Sequence, residues 1–481
     1  MVRKICELYP DYTAELKELN ENGFSLELLY KIIRKHRYNS EYNKKLYERY
    51  MGIADSVPIM SREPRYSEDE INNKLCCDYF GKIVNFKTGF FAGNPIAYGY
   101  SDSEESEETS GGINGVESAT KRVTDFVTRN SMYGVDMEIT KLSSIYGYVG
   151  RLFFIDNDGE ERTMVTHSYE TIILSSTNIS EPEYSVRYFC TKDINGSSTW
   201  TVEFYDNVNV RTLTGGVLNQ LNEVSCEPHM FDYCPLQGIP NNREMLGDAE
   251  KVISLIDDYN KTLSDNSNEI ESFVHAQMVI ENLNTDDETN KAMQKSGVIS
   301  FNSIGTREGK VYYLTKNIND AFTEHHLERL EKKIYDLSDT PNLNDEHFGN
   351  ASGISLEFKL HGLRTKCNMY KAQMLTAGQY MWKVLASAWA KKGTIVDPLQ
   401  VTMDIVPNIP VDTLAEAQKV QALIAAGIPK EIAFGQLSFI DDIDYVMQLI
   451  EEEMNNIPDL ENENIDVDET DEGETTEEKL K

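Results

Sequence analysis

Two hydrophobic rhythms divide the chain. Between residues 6 and 55, apolar positions recur three and four apart: Leu26, Leu29, Ile32 and Ile33, then Tyr42, Leu46 and Tyr50. That spacing lines one face of a helix. Ile71, Leu75, Tyr79 and Ile83 repeat it, and Ser67 with Glu70 offers a capping box. A helix is therefore predicted over 67–92, ended by Gly93-Asn94-Pro95. From 145 to 213 the period drops to two. Glu170–Leu174, Tyr184–Phe189 and Thr199–Tyr205 alternate β-branched or aromatic residues with polar ones, and Asp158-Gly159 and Asn195-Gly196 supply hairpin turns. An antiparallel sheet inserted among helices makes the class α+β and mainly helical.

The helical period returns at Val252, Leu255, Ile256, Tyr259, Leu263 and Ile270, predicting a helix over 246–275. Phe322, Leu327, Leu330 and Ile334 predict another over 317–337, stopped by Thr340-Pro341. Between them lie a short helix near 287–294 and strands at 298–301 and 311–314. From about 353 to 392 the pattern is one long helix through Leu360, Tyr370, Met381 and Trp389. At 1.5 Å per residue it spans roughly 60 Å, with Gly362 and Gly378 as points of bending. A strand follows at 399–403, then short helices over 412–456 broken at Gly427-Ile428-Pro429. Asp102–Gly112, acidic and rich in Ser and Gly, reads as an exposed loop.

Composition narrows the function. The 481 residues carry 46 Lys+Arg against 80 Asp+Glu, a net charge of −34. A protein that grips nucleic acid over a wide surface is basic, so this balance argues against one. It leaves room for a surface that nucleic acid slides past. The length suggests several folded units. No run approaches the ~18 apolar residues of a membrane helix, and Arg3 and Lys4 have no apolar run behind them, so neither a membrane span nor a signal peptide is expected. Seven scattered cysteines suit a reducing compartment. The charge is uneven. Residues 246–275 hold two Lys against seven acids, 2 − 7 = −5, whereas 353–393 hold seven Lys/Arg against Glu357 alone, 7 − 1 = +6. Residues 458–481, with eleven acids and two Lys, read as a disordered acidic tail.

Catalytic and metal signatures are weak. Gly305-Thr-Arg-Glu-Gly309-Lys310-Val311 has the wrong spacing for a phosphate loop and no hydroxyl after the lysine. Cys226-x2-His229-x4-Cys234 offers three soft ligands where a closed zinc site needs four. Asp156-Asn157-Asp158-Gly159 lacks the acid that would complete a calcium loop and reads as a hairpin turn. His325 and His326 are adjacent on a helix, so they point apart. No catalytic residue, metal or cofactor is expected. A metal-dependent nuclease or hydrolase, the alternative from another class, would need a spaced Asp/Glu/His cluster that the sequence does not display.

In order along the chain stand Tyr47-x2-Tyr50-x-Gly52-x-Ala54, Asn72-Asn73-Lys74, Lys82-Ile83-Val84 and Thr88-Gly89-Phe90-x-Ala92-Gly93-Asn94-Pro95-Ile96. Then come Pro240-Asn241-Asn242-x4-Gly247-Asp248 and Leu255-Ile256-Asp257-x-Tyr259-Asn260-x3-Ser264-Asp265-x2-Asn268-Glu269. Leu314-Thr315-Lys316, Ile334-Tyr335-x5-Pro341-Asn342 and Ser352-Gly353-x-Ser355-Leu356 complete the series. Their order over about residues 40 to 400 resembles the portal proteins of tailed bacteriophages, in particular those of long-non-contractile-tail, siphovirus-type phages of Gram-positive hosts. The C-terminal region matches in type only.

The resemblance implies a cyclic ring, usually of twelve subunits, at one capsid vertex, with double-stranded DNA packaged and ejected through its axis. It implies a wing over 1–245, with helices and the inserted sheet, and a long wing helix and strand over 353–406. Stem helices fall at 246–275 and 317–337, a small α/β clip at 276–316, a tunnel loop at 338–352 and a helical crown at 407–457, before the tail at 458–481. The implied partners are the terminase large subunit, a head-completion or adaptor protein, and the major capsid and scaffolding proteins. The implied location is the virion, after assembly in the host cytoplasm. A separate terminase ATPase would supply the work, so the chain itself is expected to be no enzyme. Within this frame Asn342, Asn344, His347 and Asn350 are candidates to meet DNA in the tunnel loop, and Asp257, Asp258, Asp265 and Glu269 are candidates for an acidic, sliding stem surface. The basic long helix would meet an acidic face of the neighbouring subunit or pair within its own chain with the acidic N-terminal helices. Trp382 and Trp389, seven apart on one face, read as core. The alternative within the same class is another head–tail structural protein.

Overall fold

The computed structural model describes residues 10–64, 71–101, 113–274, 277–281, 310–314, 320–342, 353–408 and 413–435, with isolated positions up to 449. The chain divides into two compact units, Met1–Asn408 and Ile409–Lys481.

The first unit opens with α1 (Thr13–Asn22) and α2 (Leu26–Tyr50). Gly23 ends α1 at φ 75°, and the Ser25 hydroxyl caps α2 by accepting from Leu28 N at 3.3 Å. The predicted apolar face is present but rotated: Leu26 is exposed, and Leu28, Leu29, Ile32, Ile33 and Leu46 are buried. The next helix, α3, runs from Tyr79 to Ala92 with the Asp78 carboxylate capping Gly81 N at 2.7 Å. Of the helix predicted over 67–92, residues 79–92 are helical and 71–78 are not. Ser67 and Glu70, the proposed capping box, lie outside the described residues, and 71–78 have no regular secondary structure. After β1 (Ala97–Tyr100) come α4 (Ile113–Arg129) and α5 (Met132–Tyr146). The acidic loop read over 102–112 lies outside the described residues.

Strands then dominate as predicted, but further along the chain. β2 (Tyr148–Ile155) and β3 (Glu161–Thr166) form a hairpin turned at Gly159, φ 78°. β4 (Thr171–Leu174), β5 (Tyr184–Lys192), β6 (Ser198–Tyr205), β7 (Asn209–Val217) and β8 (Gln220–Pro228) make a five-stranded antiparallel sheet in sequence order. Gly196, φ 82°, lies in the predicted β5–β6 turn. β9 (Leu236–Pro240) returns beside β2, giving a second sheet ordered β3-β2-β9. One face of the five-stranded sheet is covered by α1 and α2: Leu16, Leu19, Leu28 and Ile32 pack on Ile172, Val186, Val202, Phe204 and Leu213. Burying a side chain of this size is worth about 1.5–3 kcal/mol, so this layer anchors the N-terminal helices.

Next come α6 (Ile253–Val274), β10 (Gln277–Glu281), β11 (Lys310–Leu314) and α7 (Asp320–Ser338). β10 and β11 pair antiparallel, so the chain leaves α6 and returns into α7. The strand and helix predicted at 298–301 and 287–294 lie outside the described residues. α8 (Gly353–Lys391) is the long helix, 39 residues and unbroken at Gly362 and Gly378. Its second half is core, where Trp382 and Trp389 stand 6.3 Å apart among Phe126, Met381, Leu385 and Val396. Finally β12 (Val401–Asp404) pairs with β1, some 300 residues earlier. In the second unit, α9 (Thr413–Ala425) and α10 (Lys430–Phe434) are separated at Gly427, φ 85°, as the Gly-Ile-Pro break predicts. The tail at 458–481 lies outside the described residues.

Candidate functional site

The side chains singled out on the first predicted stem helix all lie on α6. Asp257 pairs with Arg49 at the end of α2, and Asp265 lies 2.5 Å from Arg62. Asp258 reaches His326 of α7 at 3.3 Å. Glu269 is half-buried. Arginines from the preceding segment therefore answer two of the four carboxylates, so the folded α6 presents less negative charge than its sequence alone. The neighbouring His325 turns instead to Glu328, 3.3 Å away, in keeping with two adjacent histidines that point apart.

The segment 71–77 lies along α6 and explains the spacing Asn260-x3-Ser264-x3-Asn268. Asn268 Oδ1 accepts from Asn73 N at 2.7 Å, Ser264 Oγ from Leu75 N at 2.9 Å and Asn260 Oδ1 from Cys77 N at 2.8 Å. Amides two apart along the segment meet side chains four apart on the helix, in antiparallel order. Two extended residues advance about 6.7 Å and four helical residues about 6 Å, so the two periods nearly match. Asn73 also donates to Glu271 at 2.7 Å, and Arg62 donates to Asn72 Oδ1 and Asn73 O. A cleft of about 370 Å³ opens beside the upper rungs, lined by Arg62, Asn72, Asp265, Asn268, Glu269 and Ser272.

Where α6 begins, the Pro240-Asn241-Asn242-x4-Gly247-Asp248 stretch folds back on itself. Asn241 Nδ2 and Asn242 Nδ2 donate to Leu246 O at 2.9 and 2.8 Å, and Leu246 N returns to Asn242 Oδ1. Gly247 is required by close approach, since a Cβ there would stand 2.4 Å from Ile145 O. The turn delivers Asp248 to a fully buried position between two lysines, Lys87 of α3 at 2.9 Å and Lys366 of α8 at 3.0 Å. Ser144 of α5 donates to the same carboxylate at 2.5 Å. Lys87 also donates to Asn241 and sits 4.3 Å over the Tyr370 ring. Burial alone would raise the Asp248 pKa, but the two ammonium groups outweigh it and hold the carboxyl well below its usual range. Lys366 Nζ further donates to Ser338 O, the last residue of α7, at 2.8 Å. One lysine thus fastens the start of α6, the end of α7 and the long helix together.

Other basic residues of α8 are also used within the chain. Lys371 donates to Ile405 O at 2.8 Å, Lys391 pairs with Asp232 at 2.6 Å, and Lys392 pairs with buried Glu161 at 2.6 Å. These partners lie in β3, in the β8–β9 loop and just beyond β12, and not in the N-terminal helices.

Of the tunnel-loop candidates, Asn342 is half-buried just beyond α7, while Asn344, His347 and Asn350 lie outside the described residues. Cys226, His229 and Cys234 are not brought together: Cys226 is exposed, Cys234 is buried against Ser185, and His229 bonds Asp206 O. Among the described residues no group of three His, Cys, Asp or Glu side chains is placed to hold a metal ion, and no helix is long and apolar enough to cross a membrane. Arg49, Arg62, Lys87 and Lys366 escaped sequence reasoning, because nothing local marks one lysine as the partner of an aspartate 161 residues away.

The family model described as "Phage portal protein, SPP1 Gp6-like" matches residues 29–458. The chain is 22% identical to the portal protein of Bacillus phage SPP1 over 481 residues, 95% of this chain and 89% of that one. It is also 22% identical to the portal protein of Clostridium phage phiCD119 over 403 residues, 79% of this chain and 85% of that one. The family match runs past residue 400, into the region that the sequence resembles only in type.

Proposed function

Because the chain belongs to the SPP1 Gp6-like family of phage portal proteins, we propose that it closes head-to-tail into a dodecameric ring at one capsid vertex, through whose axis double-stranded DNA is packaged and ejected. The observation that carries this reading is the family match over residues 29–458, on a chain whose α6 and α7 flank the paired strands β10 and β11. In this reading α6 and α7 form the stem, the segment from 276 to 316 the clip, and 338–352 the tunnel loop, with Asn342, Asn344, His347 and Asn350 toward DNA. The clip receives the terminase large subunit during packaging and a head-completion or adaptor protein afterwards. The wing and crown contact the capsid and scaffolding proteins. The chain does no chemistry of its own, and the terminase ATPase supplies the work.

Electrostatics supports a passage more than a grip. Duplex DNA carries about one charge per 1.7 Å of axis, and a basic lining would hold it through counterion release. The exposed acids Asp258 and Glu271 on α6 and Glu324, Glu328 and Asp336 on α7 are nearly balanced by exposed Lys261, Arg329, Lys332 and Lys333, so this helix pair offers DNA no strongly basic lining. Asp257 and Asp265, held by arginines, contribute less to that balance. Native mass spectrometry and negative-stain microscopy of the purified chain test the proposal. A ring with a hole that admits a duplex is expected; a monomer, or a ring too narrow for B-form DNA, overturns it.

A further inference from the structure

Arg151 of β2 and Asp136 of α5 are both buried, each about 1% exposed. They are close enough to influence one another electrostatically, yet their charged atoms form no ion pair. Arg151 Nη2 donates to Ala377 O of α8 at 3.1 Å, leaving Nε and Nη1 without a partner. Asp136 Oδ2 accepts from Tyr98 at 2.6 Å, leaving Oδ1 without one. Gln237, the cross-strand neighbour of Arg151, donates Nε2 to the same Ala377 carbonyl at 3.3 Å, and its Oε1 is orphaned too. Donors and acceptors are thus left over on neighbouring elements, the β2–β9 sheet and α5, beside the Ala377 carbonyl of α8. A buried polar atom without a partner costs about 1–3 kcal/mol, and more when it is charged, so four of them would be a severe defect if nothing lay between.

We propose that a hydration site lies among these groups, in which ordered water bridges the Arg151 guanidinium to Asp136 Oδ1 and Gln237 Oε1. The chemistry selects water over an ion. A cation would meet the positive charge of Arg151, and an anion the carboxylate of Asp136. Water alone offers hydrogens to the two acceptors and lone pairs to the two donors, and buried water commonly makes two to four such bonds. The site lies against the middle of the long helix, beside the direct bonds that Arg151 and Gln237 make to Ala377 O.

A crystal or cryo-EM map of the full chain that resolves water tests this. Density is expected about 2.7–3.2 Å from Asp136 Oδ1 and from the guanidinium. A map in which Arg151 contacts Asp136 directly, or in which the space between them is featureless, overturns the proposal. Asp136→Asn supplies a second arm, because it keeps an acceptor and removes the charge. The same density is expected in that variant; its loss from an intact fold would mark a counter-ion and overturn hydration.

Discussion

Lys87 illustrates how a single residue carries the packing of several elements. Its ammonium group, wholly out of water, bonds the Asp248 carboxylate and Asn241 and lies on Tyr370. Lys87→Met would leave the buried carboxylate with Lys366 as its one ammonium partner beside the Ser144 hydroxyl. Breaking one side of such a pair costs about 3–5 kcal/mol, and thermal or denaturant unfolding of the variant should show a loss of that order. His36 makes a different prediction. It bonds the Tyr188 and Tyr148 hydroxyls at 2.8 and 3.3 Å in a site whose burial lowers its pKa to about 3. Its folded pKa lies below the unfolded value near 6.5, so the unfolded chain binds the extra proton first. The contribution of His36 is present above pH 6.5 and is lost as pH falls toward 3, with a slope of up to about 1.4 kcal/mol per pH unit. His36→Gln should flatten the stability profile between pH 6.5 and 4.5 relative to the parent. Parallel profiles would show that the histidine is not held neutral. At this scale the sequence was legible in pattern but not in phase: helical periodicity found α2, yet only the sheet beneath decides that Leu28 points in and Leu26 out.

Elements come next, and here the ladder between 71–77 and α6 is the clearest case. Hydrophobic period alone reads Ile71 and Leu75 as helix, but Leu75 is 40% exposed and its amide is bonded to Ser264. Tertiary hydrogen bonds that exist only once α6 is in place override local propensity. Each rung should be worth about 0.5–1.5 kcal/mol. Asn260→Ala should speed amide exchange at Cys77 more than at Asn73, and Asn268→Ala should do the reverse. Uniform acceleration along the segment would mean the rungs do not act singly. The strands β5 and β6 were visible because they alternate and β4 because its short Thr-Ile-Ile-Leu run is largely β-branched and wholly buried, whereas β8, Gln-Leu-Asn-Glu-Val-Ser-Cys-Glu-Pro, is an edge strand with most side chains in solvent and no alternation to read. The unbroken α8 was legible end to end, while its two glycines proved to be sites of close approach: a Cβ at Gly378 would stand 2.8 Å from Met403 Sδ.

At the level of the whole molecule, the family was legible from ordered short stretches, and the structure supplies a physical reason for two of them. The Asn241–Asp248 turn builds the buried carboxylate site, and the Asn260, Ser264 and Asn268 series builds the ladder. The lysines and arginines that complete both stand 118 to 208 residues from the aspartates they pair with, which no local reading can join. Within the proposed ring, shortening the stretch between Thr340 and Ser352 should leave assembly intact, seen as unchanged rings by microscopy, while reducing packaged DNA. Full packaging by the shortened chain would show that this stretch does not face the axis.

The ladder also has a mechanical meaning. Its rungs occupy one stripe of α6 and recur at that helix's own period, so rolling the helix by one residue, about 100°, would unseat all of them together. Torque applied to α6 from its far end would therefore pass into the segment at 71–77 and, through Arg62 and Arg49, to the end of α2. The helix is keyed to its housing like a shaft, and turning it means turning what holds it.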